Sequence, residues 1–197
     1  MERLVLARHA LAASNEDETV SGVAPGIGLT AAGVEQARAL GRALADVPLD
    51  LAVVTEFRRT QETADLALEG RDVPRLVVPE LNEIDFGSFE GGLLSAYREW
   101  AWAASADELS PGGRESRGDA AERYARGFEL LLARPETAIL AVTHAVPIRY
   151  LVDAAEGRAP TARVAPVAHA EAVVLEAERV RAAVDALRVW AASPAFA

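Results

Sequence analysis

Two short stretches of this sequence end in the same way. Leu4-Val5-Leu6-Ala7 runs into Arg8-His9-Ala10, and Ile139-Leu140-Ala141-Val142 runs into Thr143-His144-Ala145. The chain has 3 histidines, so two of them stand at the tip of an apolar run. Such a run fits a strand buried on both faces of a parallel sheet. In open α/β sheets the reacting groups collect beyond the carboxyl ends of those strands. Other polar groups fall at comparable places: Arg8 before the first of these histidines, Arg58 and Arg59 in the opening turn of a helix, Arg149 in the first turn of another, and Glu83 in a loop.

Imidazoles among guanidiniums suit chemistry on a phosphoryl group. Its negative charge attracts arginine and repels an attacking lone pair. Bidentate guanidinium contacts neutralise that charge and fix orientation. Arg8 and Arg59 would also lower the pKa of His9 and keep it a neutral nucleophile near pH 7. A second imidazole, His144, would steady the equatorial oxygens. The departing alkoxide needs a proton, and Glu83 is placed to supply it. Leu81, Phe86 and Phe89 would desolvate its carboxyl and Asp85 and Glu90 would repel its charge, and both effects raise a carboxyl pKa.

Other chemistries are excluded or unsupported. With 0 cysteines there is no thiol nucleophile, disulfide or thiolate metal site. All 20 basic residues are arginine, so no lysine can form a Schiff base or serve a P-loop. Two histidines without further ligands at metal spacing make a poor zinc site. No G-x-S-x-G elbow supports a serine hydrolase. The reading is therefore metal-independent, with no cofactor.

These residues must be positioned by alternating strands and helices. Leu11 to Gly28 has loop composition. Thr30 fits an N-cap, with apolar residues at helical spacing from Gly33 to Leu44. Leu49 to Val54 and Arg75 to Val78 read as strands, Phe57 to Leu68 as a helix, and Leu81 to Gly91 as an ordered loop. Helices are predicted from Leu93 to about Ala103 and from Asp119 to Ala133, and Pro147 sits in the first turn of a further one. Ala172 to Glu176 and Arg179 to Asp185 fit either a hairpin or a strand and a short helix. Strands and helices alternate without a linker, which predicts one α/β domain over residues 1–197.

The blocks together resemble the histidine phosphatase superfamily, also called phosphoglycerate mutase-like. Arg8-His9-Ala10 resembles its Arg-His-Gly signature, and Asn15 and Gly22 stand where the family has a phosphate-binding Asn and a loop glycine. Leu29-Thr30-Ala31-Ala32-Gly33 is similar to its Leu-Thr-x-x-Gly helix start. Thr55 to Ala64 is similar to its Ser-x-x-x-Arg-Ala-x-Gln-Thr-Ala block, which makes Arg59 the phosphate-binding arginine and Arg58 the spare. Leu81-Asn82-Glu83 resembles the acid loop, and Thr143-His144-Ala145 the second-histidine block. The resemblance implies a three-layer sandwich with a mostly parallel central sheet flanked by helices. It also implies a phosphohistidine on His9, a phosphoryl group held by Arg8, Arg59 and His144, Glu83 as proton donor, and substrate contacts at Asn15, Gly22 and Ala145. Phosphomonoester hydrolysis is the activity implied. The alternatives are a cofactor-primed phosphoglycerate mutase and a non-catalytic phospho-ligand binder. The family's glycines after both histidines are alanines here, and Arg114 is inserted in its Pro-Gly-Gly-Glu-Ser stretch. His169 stays outside the catalytic set.

A formal charge of -10 argues against nucleic acid or anionic membrane as a partner and leaves a phosphorylated small molecule. No apolar run reaches the length of a membrane span, and no secretory signal precedes residue 8. The expectation is a cytoplasmic protein, and a homodimer is left open.

Overall fold

The computed structural model describes residues 1–196. Its elements in chain order are β1 (Arg3–Arg8), α1 (Ala13–Glu16), α2 (Ala31–Ala43), β2 (Leu51–Val54), α3 (Arg58–Ala67), β3 (Arg75–Val77), α4 (Leu94–Ala103), α5 (Arg117–Leu132), β4 (Ala138–Thr143), α6 (Ala145–Ala155), β5 (Ala172–Glu176) and α7 (Ala177–Ala191). Two 3-10 turns, Pro79–Leu81 and Gly87–Phe89, lie in the loop after β3.

The five strands form one sheet in the order β3-β2-β4-β1-β5. All neighbours are parallel except β1 and β5. Alternate residues of the central strands face opposite layers. Val5, Ala7, Ala52, Val54, Leu140 and Val142 pack on α2 and α3 through Ala37, Leu40, Leu44, Ala64 and Ala67. Leu4, Leu6, Leu51, Val53, Ile139 and Ala141 pack on the other side, against Phe128, Leu131, Ile148, Leu151, Val180 and Leu187 of α5, α6 and α7. The fold is α/β, with helices on both faces of a mostly parallel sheet.

Register is what this fold gives the site. β1 and β4 are parallel neighbours with Arg8 opposite Thr143, so His9 and His144 leave the sheet side by side. The backbone N–H of His9 donates to the Thr143 carbonyl at 2.9 Å, extending the ladder one residue past the strand. On the far side of β4, Val53 of β2 lies opposite Ala141, which brings the β2 exit at Thr55 to the same edge.

The elements differ from the sequence reading in three places. The Leu11–Gly28 stretch contains the turn α1, which carries Asn15. Helix α5 starts at Arg117 rather than Asp119, because Ser116 and Asp119 form a reciprocal cap. The C-terminal ambiguity resolves into an edge strand followed without a break by the 15-residue helix α7. Val180, Ala183, Val184 and Leu187 keep helical spacing and are buried.

Gly33 fixes the chain just beyond His9. Thr30 caps α2 by accepting from Gly33 N at 3.0 Å, and its own N–H donates to the Leu11 carbonyl at 3.0 Å. A Cβ on Gly33 would lie 2.1 Å from that carbonyl oxygen, and backbone cannot swing aside as a side chain can. Gly33→Ala is expected to destabilise the fold by about 1–3 kcal/mol, the usual cost of overpacking. Urea unfolding checks this, and an unchanged midpoint would show that the Leu11 segment is free to move.

Candidate active site

At the shared carboxyl edge of β1, β4 and β2, three side chains meet. The His9 and His144 ring centroids are 5.4 Å apart. Arg59, in the first turn of α3, lies between them: its Nε donates to His9 Nε2 at 3.1 Å and its Nη2 to His144 Nδ1 at 3.2 Å. The same guanidinium is held by the Ser21 carbonyl at 3.0 Å and stacks over Phe57 at 4.3 Å. All three side chains are buried.

Proton positions follow from the partners. A carbonyl can only accept and a guanidinium can only donate. His9 Nδ1 is 2.8 Å from the Ala10 carbonyl, so Nδ1 carries the proton and Nε2 presents a lone pair toward Arg59. His144 Nδ1 likewise accepts from Arg59, so its proton sits on Nε2, 3.1 Å from Thr55 Oγ1. Burial, then Arg59, then other neighbouring charges including Arg8 hold both imidazoles well below their ordinary pKa. Both are neutral near pH 7. Burial brings the Arg59 guanidinium down to about 10, still charged at neutral pH.

Arg8 completes the cationic side. Its Nη1 donates to the Val167 carbonyl at 2.9 Å, while its Nε is buried without a partner. A buried donor without an acceptor costs about 1–3 kcal/mol, and an anionic oxygen would satisfy it. Glu83 faces the pair from the loop after β3, with Oε2 4.0 Å from His144 Nδ1 and Oε1 accepting from Ile84 N at 3.0 Å. Burial raises its pKa, against the opposing pull of Arg59 first and of Arg8 and Arg123 after it. The loop is clamped from two sides. Arg123 Nη1 donates to the Glu80 and Asn82 carbonyls at 3.0 Å, and Thr143 Oγ1 donates to the Leu81 carbonyl at 2.7 Å.

These groups open on a cavity of ≈ 430 Å³. Its polar lining includes Arg8, His9, Arg59, Glu83 and Asn15, and its lining also includes Leu94, Tyr97, Trp102, Val146 and Val164. The arrangement can hold a tetrahedral anion between guanidiniums, offer it a nitrogen lone pair, and present a carboxyl whose pKa burial raises.

The histidine phosphatase superfamily (branch 1) profile matches residues 4–189. This chain belongs to that family. An adenosylcobalamin/α-ribazole phosphatase of Salmonella typhimurium is 44% identical over 88 residues, covering 45% of this chain and 43% of that protein. The aligned stretch thus spans less than half of that relative. A 2,3-bisphosphoglycerate-dependent phosphoglycerate mutase of Gloeobacter violaceus is 33% identical over 138 residues, 65% of this chain and 62% of the mutase. Among solved structures, the α-ribazole phosphatase of Shigella flexneri superposes with a TM-score of 0.75 at 32% identity, covering 87% of this chain and 89% of that one.

In this histidine phosphatase fold the residues singled out from sequence fall into two groups. Arg8, His9, Asn15, Arg59, Glu83 and Ala145 line the cavity, and His144 lies directly behind Arg59. Gly22 does not line it: its N–H is taken by Glu90 Oε2 at 2.7 Å, and its lack of a side chain lets the loop approach Phe86 and the Ile84 carbonyl. Arg149 points away, donating to the Pro166 carbonyl and pairing with Asp153. Arg58 pairs with Glu62 at the surface. The carboxylates expected to repel Glu83 are engaged elsewhere, Asp85 with Gly87 N and Arg114, and Glu90 with Gly22 N. Desolvation is therefore what raises the Glu83 pKa. His169 was set aside, yet its Nδ1 donates to the His9 carbonyl at 2.8 Å. Ser21, Arg123 and the Val167 carbonyl went unseen, because contacts to backbone leave no sequence signature. Among the described residues no cluster of three or more His, Cys, Asp or Glu is placed to hold a metal, and no helix is long and apolar enough to cross a membrane.

Two imidazoles buried neutral make stability depend on pH. Their folded pKa values lie below the unfolded value near 6.5, so the stability is present above that pH and lost as pH falls through the folded values. Each contributes a slope of up to about 1.4 kcal/mol per pH unit. Urea midpoints are expected to fall from pH 7 to pH 5, less steeply in His144→Gln. Parallel pH profiles for the two proteins would show that His144 is not buried as a neutral ring.

Proposed function

We propose that this protein is a metal-independent phosphomonoesterase working through a phosphohistidine on His9. The observation that carries the reading is the Nε2 lone pair of His9 aimed at Arg59, with His144 on the other side of that guanidinium. A phosphoryl group would be held by Arg59 and Arg8, whose unpaired Nε gains an acceptor. His9 Nε2 attacks phosphorus, the ester P–O bond breaks, and the proton of Glu83 passes to the departing oxygen. Water then attacks the phosphohistidine and gives its proton to the Glu83 carboxylate. The P–N electrons return to Nε2, releasing phosphate.

The leaving alcohol would lie along Leu94, Ala101, Trp102, Val146 and Val164, which supports an ester with a sizeable apolar part. The names of the relatives make α-ribazole phosphate the first ester to test. Arg98 and Arg163 also line the cavity and form no ion pair among the described residues. That feature favours a second reading, in which a second anionic group is held and the enzyme is a mutase. Phosphate release assayed beside mutase activity on 3-phosphoglycerate separates the two.

His9→Ala is expected to abolish phosphate release from any ester. Glu83→Gln should slow alkyl phosphates by about 10²–10⁴-fold, and aryl phosphates much less, since their leaving groups need little protonation. Equal losses on both classes would remove Glu83 from the proton-donor role.

A further inference from the structure

Behind the cavity, His144 is bonded into a buried chain of hydroxyls. Its Nε2 lies 3.1 Å from Thr55 Oγ1, which lies 2.9 Å from Thr60 Oγ1, which lies 2.8 Å from the Phe57 carbonyl. His144, Thr55 and Thr60 are wholly buried. The backbone N–H of Thr55 also donates to Thr60 Oγ1 at 3.1 Å, and that of Phe57 to Thr55 Oγ1 at 3.3 Å.

Only one arrangement of protons fits. Each hydroxyl has a single proton, and the two ends of the chain are fixed, Arg59 as donor and the Phe57 carbonyl as acceptor. Thr60 therefore donates to Phe57, Thr55 donates to Thr60, and His144 Nε2–H donates to Thr55. Reversing the chain would set two donors against each other between Arg59 and Nδ1. It would also leave lone pair facing lone pair between Thr60 Oγ1 and the Phe57 carbonyl. Either fault would leave buried groups unsatisfied.

We propose that Thr55 and Thr60 are positioning residues whose hydroxyls form a one-way relay, committing Nε2–H of His144 and leaving Nδ1 as the only ring atom offered to a phosphoryl group. The inference rests on the phosphatase reading for that ligand and on hydrogen-bond geometry for the relay.

The relay makes anion binding switch the state of His144. Free, Nδ1 accepts from Arg59. When a phosphoryl oxygen stands there instead, two acceptors face each other, and Nδ1 must take up a proton to become a donor. The imidazolium keeps its Nε2–H on Thr55, whose oxygen is polarised toward the Phe57 carbonyl through Thr60. The charged and titratable groups that face this ring are Arg8 and the neutral His9 at the end of β1, Arg59 on α3, Glu83 in its loop and Arg123 on α5. A phosphate dianion compensates the surrounding cations and permits the added charge.

The test uses full-length protein with ¹⁵N-labelled histidine and inorganic phosphate as probe. Nitrogen NMR of the free protein is expected to show His144 protonated on Nε2. Calorimetry in two buffers of different ionisation enthalpy should show uptake of about one proton as phosphate dianion binds. Thr60→Val should shift the tautomer, reduce proton uptake, and lower kcat by roughly 10- to 100-fold, the worth of a hydrogen bond to a charged group. Thr60→Ser should restore all three. If valine disrupts folding, Thr60→Ala takes its place. An Nδ1-protonated ring in the free protein, or a Thr60 variant unchanged in tautomer and proton uptake, would overturn the relay. Neither readout needs turnover. A protein with the relay but no phosphate release would refute only the phosphatase reading.

Discussion

The site depends on one guanidinium held between two neutral imidazoles. Arg59 donates to a ring nitrogen of each histidine, so the nitrogen it meets on each ring presents a lone pair. A buried cation is costly unless its donors are satisfied. Here the two rings, the Ser21 carbonyl and the Phe57 face provide that satisfaction. In a chain of net charge -10, Arg8 and Arg59 concentrate positive charge where the sheet ends. The fold supports this by register: parallel β1 and β4, with Arg8 opposite Thr143, deliver the two histidines to the same place.

That register explains why much of the site was legible in the sequence. Two apolar runs ending in His imply two buried strands. Strands buried on both faces belong in the centre of a parallel sheet, where their tips share one edge. Arg59 could be separated from Arg58 only through the family block; the helix start alone treats them alike. The structure separates them by burial, with Arg59 turned inward and Arg58 bound to Glu62 outside.

The parts that were not legible have physical reasons. Arg149 has the residue type and helix position of a ligand, but the Pro166 carbonyl and Asp153 draw it aside. The repulsion expected of Asp85 and Glu90 assumed that neighbours in sequence face one another, whereas each carboxylate caps a backbone N–H. Arg123 is far from Glu83 in sequence and holds its loop through carbonyls, which any residue type can supply. The C-terminal helix was undecided because no Gly or Pro separates it from the edge strand. Its period became clear only against the helix it packs on.

The central claim is that phosphorus passes through a covalent bond to residue 9. The most direct measurement is alkaline quenching during turnover of a phosphate ester, followed by peptide mass spectrometry, since phosphohistidine survives base. The account predicts phosphate on His9 in the steady state, at a level that falls once substrate is exhausted. Turnover with no phosphate on His9, or with phosphate on another side chain, would contradict it.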